Sequence, residues 1–458
     1  MGLELFDSKT QTVREFTPLQ PGLVSMYVCG PTVQSAPHLG HLRSALVYDL
    51  LRRWLEANGY GVTMVRNVTD IDDKVLVNAA EAKRDWQEFA LEVDGTFSAA
   101  YSALGLLEPT RSPHATEHIA DMIALVESLI SKGHAYQAED GTANVFFDTS
   151  SWPAYGELTN QKLENMEGEV EASFGRRNVN DFALFKAHKP GEPESASWQT
   201  PWGMARPGWH IECSAMAKHF LGTEFDIHGG GLDLRFPHHE NELAQSSANG
   251  DDFANFWFHN ALVTIQGQKM SKSLGNGVSV EELLEAGSWA AIRYWLSSAQ
   301  YRSNLDYTAN SLSDAQAALD RISGFVKRAK LVTSIVQAQL PEGFLRAMNA
   351  DLNIPAAIAV LHETIRAGNI ALDAQEIVSV TEHLSEVSAM LDVLGLMLGQ
   401  PKELSAERTA KIEKLIELRS EAKSNKDFAK ADQIRAELTD LGVTLEDLPN
   451  QTIWSING

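Results

Sequence analysis

The chain of 458 residues is poor in cysteine, in long apolar segments and in positive charge. Its two cysteines exclude a framework of disulfide bonds, which small secreted domains often need. No apolar run approaches the roughly 20 residues that a membrane-spanning helix requires. The first residues also lack the basic and apolar segments of a secretory signal. We therefore expect a cytoplasmic protein that is not held in a membrane.

Positive charge is scarce because 38 Lys and Arg residues face 61 Asp and Glu residues, which leaves a net charge of −23. Proteins that bind nucleic acid over a broad surface usually carry a basic footprint. The composition therefore argues against bulk nucleic-acid binding, although a local basic stripe remains compatible with it. Hydrophobic residues make up 44% of the chain, which is typical of a globular protein with a core. The length predicts two to four domains.

A strand–helix–strand pattern opens the ordered part of the sequence. LVSMYVCG at 23–30 is short and apolar and predicts a buried strand. Leucine or tryptophan then recurs every four positions from Leu42 to Trp54, which indicates one buried helix face. GVTMVRNVT at 61–69 predicts the next strand. This order is typical of a βαβ unit, and therefore of a parallel sheet.

The rest of the chain completes the fold class. Residues 135–200 are mixed and acidic, whereas strand character returns at 225–228 and at 262–265. The mixed stretch is therefore interpreted as an insertion between two halves of the sheet. Beyond about 280 the pattern is almost wholly helical, and 402–458 has two helical stretches and a short tail. We predict an α/β protein: a Rossmann-like parallel-sheet catalytic domain with an insertion, then an all-helical domain and a small C-terminal module.

The first chemical motif is HLGH at 38–41, where the loop after the first strand meets the helix. A helix N-terminus presents unpaired N–H groups and favours phosphate, and Gly40 lets a bound group approach the backbone. His38 and His41 can donate hydrogen bonds to phosphate oxygens as charge develops there. Taken alone, so short a motif fits a polar loop with two ordinary histidines better than a phosphate site.

The second motif is KMSKS at 269–273, after an apolar strand and a turn. Lys269 and Lys272 on a mobile loop can neutralise a triphosphate and leaving pyrophosphate. Taken alone, this is a solvated basic loop. Together the two motifs resemble the HIGH and KMSKS signatures of class I aminoacyl-tRNA synthetases. The resemblance implies that His38, His41, Lys269 and Lys272 stabilise the reacting phosphate of ATP, which Mg²⁺ accompanies, with Lys272 the more direct contact.

A third group of residues combines sulfur, nitrogen and oxygen donors of the kind that Zn²⁺ binds. Cys29 ends the first strand, and Cys213 lies in RPGWHIECSAM at 206–216. His238 and Glu242 are four apart, so on a helix they share a face. Spacing alone leaves two alternatives open: other ligands, namely His239 and Glu240, or two core thiols beside a polar helix face with no metal.

Six segments resemble the cysteinyl-tRNA synthetase family: MYVCGPTV, RNVTDIDDK, RPGWHIECSAM, HGGG, FPHHENE and KMSKSLGN. The resemblance implies a ligase that joins L-cysteine to its tRNA and holds one zinc ion per chain. Its ligands would be Cys29, Cys213, His238 and Glu242. Thr69 and Trp209 would contact the substrate cysteine. ATP would be bound by Gly40, Gly229, Gly230, Asp233 and Lys272.

A zinc ion would explain selection of cysteine. Zinc binds thiolate strongly and a neutral hydroxyl poorly, so it separates cysteine from serine. A site that demands one specific bond can discriminate by roughly 10⁴–10⁵, which makes an editing domain unnecessary.

The resemblance also implies a domain order. A catalytic domain would span 1–280 with its insertion at about 105–205, followed by a helical connector over 281–340. A DALR-like helical tRNA-binding domain would span 341–400, and a small anticodon-binding module 401–458. A monomer is the family expectation.

Two other functions compete with this interpretation. A cysteine:glucosaminyl-inositol ligase of mycothiol synthesis would share the catalytic motifs, but such ligases typically lack the tail that 426–454 resembles. Residues 401–430 hold eight Lys and Arg against six Asp and Glu, a locally positive stretch that suits tRNA or a solvated helix. A non-enzymatic RNA-binding or structural zinc protein would have lost a motif histidine or lysine, and all are present.

Overall fold

The computed structural model describes residues 2–161, 175–269, 277–337, 339–398, 406–425, 427–440, 443–447 and 452–456. The chain divides into two compact units, Met1–Leu396 and Met397–Gly458, each of which is described by itself. Within the described ranges, no helix is both long enough and apolar enough to cross a membrane.

The first unit contains fourteen strands and twelve α-helices among its described residues. The strands are β1 (Glu4–Asp7), β2 (Thr12–Glu15), β3 (Leu23–Val28), β4 (Gly61–Arg66), β5 (Ala135–Gln137), β6 (Val145–Phe147), β7 (Phe182–Ala187), β8 (Trp198–Thr200), β9 (Gly203–Pro207), β10 (Glu224–Gly231), β11 (Phe253–Asn260), β12 (Val263–Ile265), β13 (Gln268–Lys269) and β14 (Leu305–Tyr307). The helices are α1 (Leu39–Ala57), α2 (Asp73–Glu81), α3 (Trp86–Ala103), α4 (Ile119–Ser131), α5 (Trp209–Leu221), α6 (Glu240–Ala248), α7 (Val280–Ala286), α8 (Trp289–Ser297), α9 (Ser311–Lys330), α10 (Glu342–Asn349), α11 (Ile354–Asp373) and α12 (Ile377–Leu394).

A four-stranded parallel sheet forms the centre of this unit, in the order β11-β10-β3-β4. The predicted βαβ unit is confirmed, because β3 and β4 pair in parallel and α1 connects them. α1 is amphipathic: residues such as Leu42, Leu46 and Trp54 are buried. The carboxyl ends of all four strands meet at one edge, where parallel α/β sheets bind their ligands.

β11 was not predicted from the sequence. Its residues, FANFWFHN, mix aromatic, small and polar side chains without alternation, so no period of two is visible. The strand nevertheless becomes buried from Phe256 onward because it pairs with β10.

The mixed region between the two halves of the parallel sheet contains a five-stranded antiparallel sheet in the order β5-β6-β7-β9-β8. Tyr136, Phe146 and Ala183 pack in its own small core. Along the chain, the last of these strands is β9, which ends at Pro207. Gly208 follows, and α5 begins at the next residue. The insertion therefore delivers the chain directly to the helix that carries Trp209 and Cys213.

Gly208 is required by this connection. A Cβ at Gly208 would lie 2.1 Å from the carbonyl oxygen of Ala183 in β7, and a backbone atom cannot give way as a flexible side chain can. The close approach of α5 to the inserted sheet therefore needs glycine.

Helices follow from α9 onward, as predicted. Asn353 caps α11 by accepting a hydrogen bond from the Ala356 N–H, and Pro355 stands in its first turn. The second unit contains α13 (Ala406–Ser424), α14 (Phe428–Asp440), β15 (Val443–Asp447) and β16 (Thr452–Ile456). Its core includes Ile412, Ile434, Leu438 and Val443. β15 and β16 pair antiparallel in the segment that was predicted as a short tail.

Candidate functional site

A cavity of about 380 Å³ lies at the carboxyl edge of the parallel sheet. Cys29 and Gly30 reach it from the end of β3, and Asn260 reaches it from the end of β11. His38 and His41 line it from the start of α1. Strand ends and a helix N-terminus therefore converge on one space, as in sheets that bind nucleotides.

The two histidines of HLGH cap α1 together. His38 is the N-cap, and its Nδ1 accepts from the Gly40 N–H at 3.1 Å. His41 Nδ1 accepts from the His38 N–H at 3.2 Å, and the two rings stack with centres 3.8 Å apart. An imidazole whose Nδ1 accepts carries its proton on Nε2 when neutral. Both rings are therefore in the form that can donate from Nε2 to a phosphate oxygen.

The KMSKS motif falls mostly outside the described residues. Lys272 lies outside them, and of Lys269 only the backbone, in β13, is described. β13 pairs with β12 next to the sheet edge. The chain is described again before Ser279, which pairs with His38 in an isolated bridge. The segment that follows KMSKS therefore lies beside the HLGH motif.

The predicted metal ligands come together. One potential ligand atom from each of Cys29, Cys213, His238 and Glu242 lies within 4.8 Å of the other three. The two sulfur atoms are 3.6 Å apart, and Cys29 Sγ lies 3.3 Å from Glu242 Oε1. His238 Nε2 lies 3.0 Å from the same carboxylate oxygen. All four residues are buried. Cys29 directly follows β3, Cys213 lies in α5, Glu242 lies in α6 and His238 lies in the turn before α6.

Burial sets the protonation of these donors. It raises the pKa of both thiols, and for Cys29 the neighbouring Cys213 thiol adds to the effect. It lowers the pKa of His238 to about 3, so this ring is neutral and has a lone pair to offer. Burial alone would raise the pKa of Glu242, but His228 and the hydrogen bonds from His228 and Cys29 outweigh it and lower that pKa.

This donor set fits a zinc ion. Two thiolates on a tetrahedral zinc ion, with Zn–S bonds of about 2.3 Å, lie about 3.8 Å apart, close to the 3.6 Å between the two sulfurs. One neutral imidazole and one carboxylate complete four donors of types that zinc accepts.

The two rival ligands are placed differently. Glu240 turns away from the cluster and accepts hydrogen bonds from Gly156 and Thr159. His239 belongs to an overlapping group with Cys29, His228 and Glu242. However, its Nδ1 lies 2.8 Å from His259 Nε2, and its Nε2 is 4.0 Å from Glu242.

Buried histidines around the cluster were missed by sequence reasoning. His228 Nε2 lies 2.8 Å from Glu242 Oε2, and His210 Nδ1 lies 2.9 Å from His238 Nδ1. Such contacts orient metal ligands from behind. His228 and His210 lie within the quoted HGGG and RPGWHIECSAM segments, whereas His259 lies in the unpredicted β11.

Of the residues expected at the substrate cysteine, Trp209 lines the cavity and stacks on His238, with ring centres 4.2 Å apart. Thr69 is buried and is not among the described residues that line the cavity; its hydroxyl donates to Glu212 at 2.8 Å. Asn67 connects Gly30 at the cavity with Thr69: its side-chain oxygen accepts a hydrogen bond from the Gly30 N–H, and its side-chain nitrogen donates one to Thr69.

The residues expected on the ATP side divide into two groups. Gly40 and Asp233 line the cavity, together with Gly231. Gly229 and Gly230 lie in β10, outside the lining that the described residues form. A Cβ at Gly229 would lie 2.3 Å from the Tyr48 ring, so packing requires glycine there.

Comparison with known proteins covers the whole chain. Residues 15–317 match the family described as the tRNA synthetases class I (C) catalytic domain, residues 343–399 the DALR domain, and residues 405–454 the cysteinyl-tRNA ligase anticodon binding domain. A cysteine–tRNA ligase of Clavibacter sepedonicus is 51% identical over 483 residues, and one of Leifsonia xyli subsp. xyli is 52% identical over 475. Each alignment covers 100% of both chains.

The fold is also found in a solved structure. Mycobacterium tuberculosis methionyl-tRNA synthetase in complex with methionyl-adenylate matches with a TM-score of 0.57 and 15% identity. The match covers 81% of this chain and 89% of that one. At this identity the likeness concerns the fold, and it agrees with the predicted α/β class.

Proposed function

The chain belongs to the cysteine–tRNA ligase family, and on this premise we propose that it uses ATP to join L-cysteine to its tRNA through a cysteinyl-adenylate. One observation carries the proposal. Cys29 belongs to the buried four-donor cluster and also lines the cavity with His38 and His41. A thiol-seeking centre and a phosphate-binding helix N-terminus therefore adjoin the same space.

In the activation step, the cysteine carboxylate attacks the α-phosphorus of ATP, and pyrophosphate leaves. His38 and His41 would donate from Nε2 to the phosphate oxygens while negative charge builds there. Gly40 would let the phosphate approach the positive end of α1. Lys269 and Lys272 would neutralise the leaving pyrophosphate, with Mg²⁺ bound to ATP.

The amino acid would be selected at the cluster. Cys29, Cys213, His238 and Glu242 would hold one zinc ion, which when bound supplies a thiol-preferring contact for the substrate. Trp209 would form the wall beside the substrate, held by its stack on His238. Thr69 would be positioned by its hydrogen bond to Glu212. Asp233, Gly229 and Gly230 would lie on the adenosine side.

The remaining segments would bind tRNA. We propose a catalytic domain over 1–280 with its insertion at about 105–205, then a connector over 281–340. A helical tRNA-binding domain over 341–400 and an anticodon-binding module over 401–458 would follow. We further propose a cytoplasmic monomer, and the sedimentation coefficient of the purified chain would test the oligomeric state.

The decisive assay offers two acceptors separately, tRNA and glucosaminyl-inositol, each with ATP and labelled cysteine. We expect label on the 3′ end of tRNA, because the chain carries the anticodon-binding match over 405–454. Serine in place of cysteine is the control, and it should give less than about one part in 10⁴ of the product. Label on the sugar, with none on tRNA, would favour the mycothiol ligase instead.

A further inference from the structure

Arg66 is a cation at the cavity to which the motifs assign no role. It is the last residue of β4, at the carboxyl edge of the parallel sheet, and it lines the cavity. Its backbone N–H donates to the Arg111 carbonyl at 3.1 Å, which fixes the end of the strand. Its Cγ lies 3.3 Å from where a Cβ of Gly30 would stand. The side chain therefore lies against the backbone at Gly30.

An aromatic ring holds the charged end of this side chain. The Arg66 Cζ lies 4.4 Å from the centre of the Tyr101 ring. A guanidinium stacked in this way loses water from one face but keeps its N–H groups, which point outward in its own plane. Within the described ranges, no carboxylate or carbonyl accepts a hydrogen bond from it. The Arg66 guanidinium therefore presents a rigid, planar set of N–H donors that suits an anion.

Helix α3, which carries Tyr101, also supports His41 of the HLGH motif. Tyr101 and Phe97 of α3 contact each other with ring centres 5.8 Å apart. Phe97 in turn meets the His41 ring edge-on at 5.0 Å. One aromatic wall therefore contacts both His41 and Arg66, and both residues line the same cavity.

We propose that Arg66 is a substrate-binding residue whose guanidinium donates hydrogen bonds to phosphate oxygens in the cavity. Guanidinium forks match phosphate geometry, and charged hydrogen bonds of this kind are strong. This inference deepens the proposed function and rests on it. Two substrates of that reaction bring phosphate: the triphosphate of ATP and the phosphodiester next to the 3′ end of tRNA.

The test uses the full chain with its metal and compares Arg66→Gln with Arg66→Lys. Cysteine-dependent exchange of pyrophosphate into ATP is measured without tRNA, and charging is measured with it. For Arg66→Gln we expect a KM about ten- to a hundredfold higher for one phosphate-bearing substrate. Arg66→Lys should recover part of this loss, because it keeps the charge but not the fork. The KM for cysteine should not change.

The two assays separate the phosphate sources. If Arg66 binds ATP, the KM for ATP rises in the exchange reaction itself. If it binds tRNA, exchange stays normal and only the KM for tRNA rises. Arg84→Gln is the matched control, because it makes the same substitution at an exposed arginine that pairs with Glu92 and is not among the described residues that line the cavity. It should stay within about twofold of the parent chain.

Unchanged KM values for ATP and tRNA in Arg66→Gln, beside an active parent chain, would overturn this inference and leave the proposed function standing. A lower melting temperature with unchanged KM values would assign Arg66 a structural role only. If Arg66→Gln does not fold, Arg66→Lys carries the test, since losing the fork alone should still raise one KM. A parent chain that charges no tRNA with cysteine would instead defeat the proposed function.

Discussion

At the scale of single residues, Glu242 is the point on which the buried cluster converges. Its carboxylate faces Cys29, His238 and His228 at 2.8 to 3.3 Å. A group with this many polar neighbours in a dry environment is costly unless every charge is balanced. The cluster is therefore expected to respond sharply to the loss of a single donor.

The residue-scale prediction concerns Cys213→Ser. The hydroxyl is a poor zinc ligand at neutral pH, so we expect bound zinc to fall from about one ion per chain to well below half. The KM for cysteine should rise at least about tenfold, as loss of a ligand or its support typically costs 10–100-fold. Zinc is counted by elemental analysis after gel filtration.

Met216→Leu is its control, since it replaces a buried apolar residue of α5 with one of similar volume and removes no cluster donor. Its zinc content should stay at the parent level. Full zinc occupancy in Cys213→Ser would refute the ligand assignment. The assignment would also fail if Met216→Leu lost the metal to the same extent.

Residues with chemically distinctive side chains were predictable from the sequence, whereas those defined by surroundings were not. The cysteines and the motif histidines could be proposed as site residues from their residue types and their order along the chain. Spacing left Glu240 open, because only the fold shows it turned toward Gly156 and Thr159. Arg66 was quoted within RNVTDIDDK, but its stacking on Tyr101 depends on α3, which no local pattern reveals.

At the scale of elements, Asp73 joins the start of α2 to the inserted sheet. Lys186 Nζ of β7 lies 2.6 Å from its carboxylate, and Arg206 of β9 also contacts it. Burial would raise the pKa of Asp73, but Lys186 and then Arg206 outweigh it and hold that pKa well below its usual range. The folded chain therefore prefers the ionised carboxylate.

The element-scale prediction follows from the lowered pKa of Asp73 in the folded chain. The stabilisation by Asp73 should be fully present above about pH 4, the usual pKa of aspartate in unfolded chains. It should be lost progressively as the pH falls from there toward the lower folded pKa. Asp73→Asn should thus lower the free energy of unfolding by about 2 kcal/mol at pH 7 and by less at pH 3. Urea unfolding at both pH values measures the difference.

Glu342→Gln is the matched control, because Glu342 pairs with Arg346 on an exposed helix face, where ion pairs contribute about 0–1 kcal/mol. A gap between Asp73→Asn and the parent chain that is as large at pH 3 as at pH 7 would contradict the proposed ion-pair effect.

Elements with a regular period were predictable, and those stabilised by partners were not. α1 shows its buried face every four residues, and β3 is a continuous apolar run, so both were predicted. β11 and the inserted strands lack a period, and their pairing comes from residues distant in sequence. The antiparallel pair β15-β16 was also not predicted: its segment was interpreted only as a short tail, although VTLED alternates apolar and polar residues over its first four positions.

At the scale of the whole molecule, the chain consists of two compact units with separate cores. All described residues of the cavity belong to the unit Met1–Leu396. A chain that ends after Leu398 should therefore keep cysteine-dependent pyrophosphate exchange within about twofold. Its kcat/KM for tRNA should fall at least about tenfold, a loss of about 1.4 kcal/mol of binding.

Both activities are measured on the truncated and full chains side by side. If the shortened chain charged tRNA as well as the full chain, the C-terminal unit would have no part in tRNA binding. If exchange were lost as well, the first unit would depend on the second for its fold.

The four cluster donors stand at positions 29, 213, 238 and 242, so the set is complete only after more than half of the chain has been made. While a ribosome is still synthesising this protein, a nascent chain that ends before Glu242 offers the metal an incomplete cage. If the cluster holds zinc as proposed, loading with the ion would have to wait until Glu242 has been made and α6 has packed beside the end of β3.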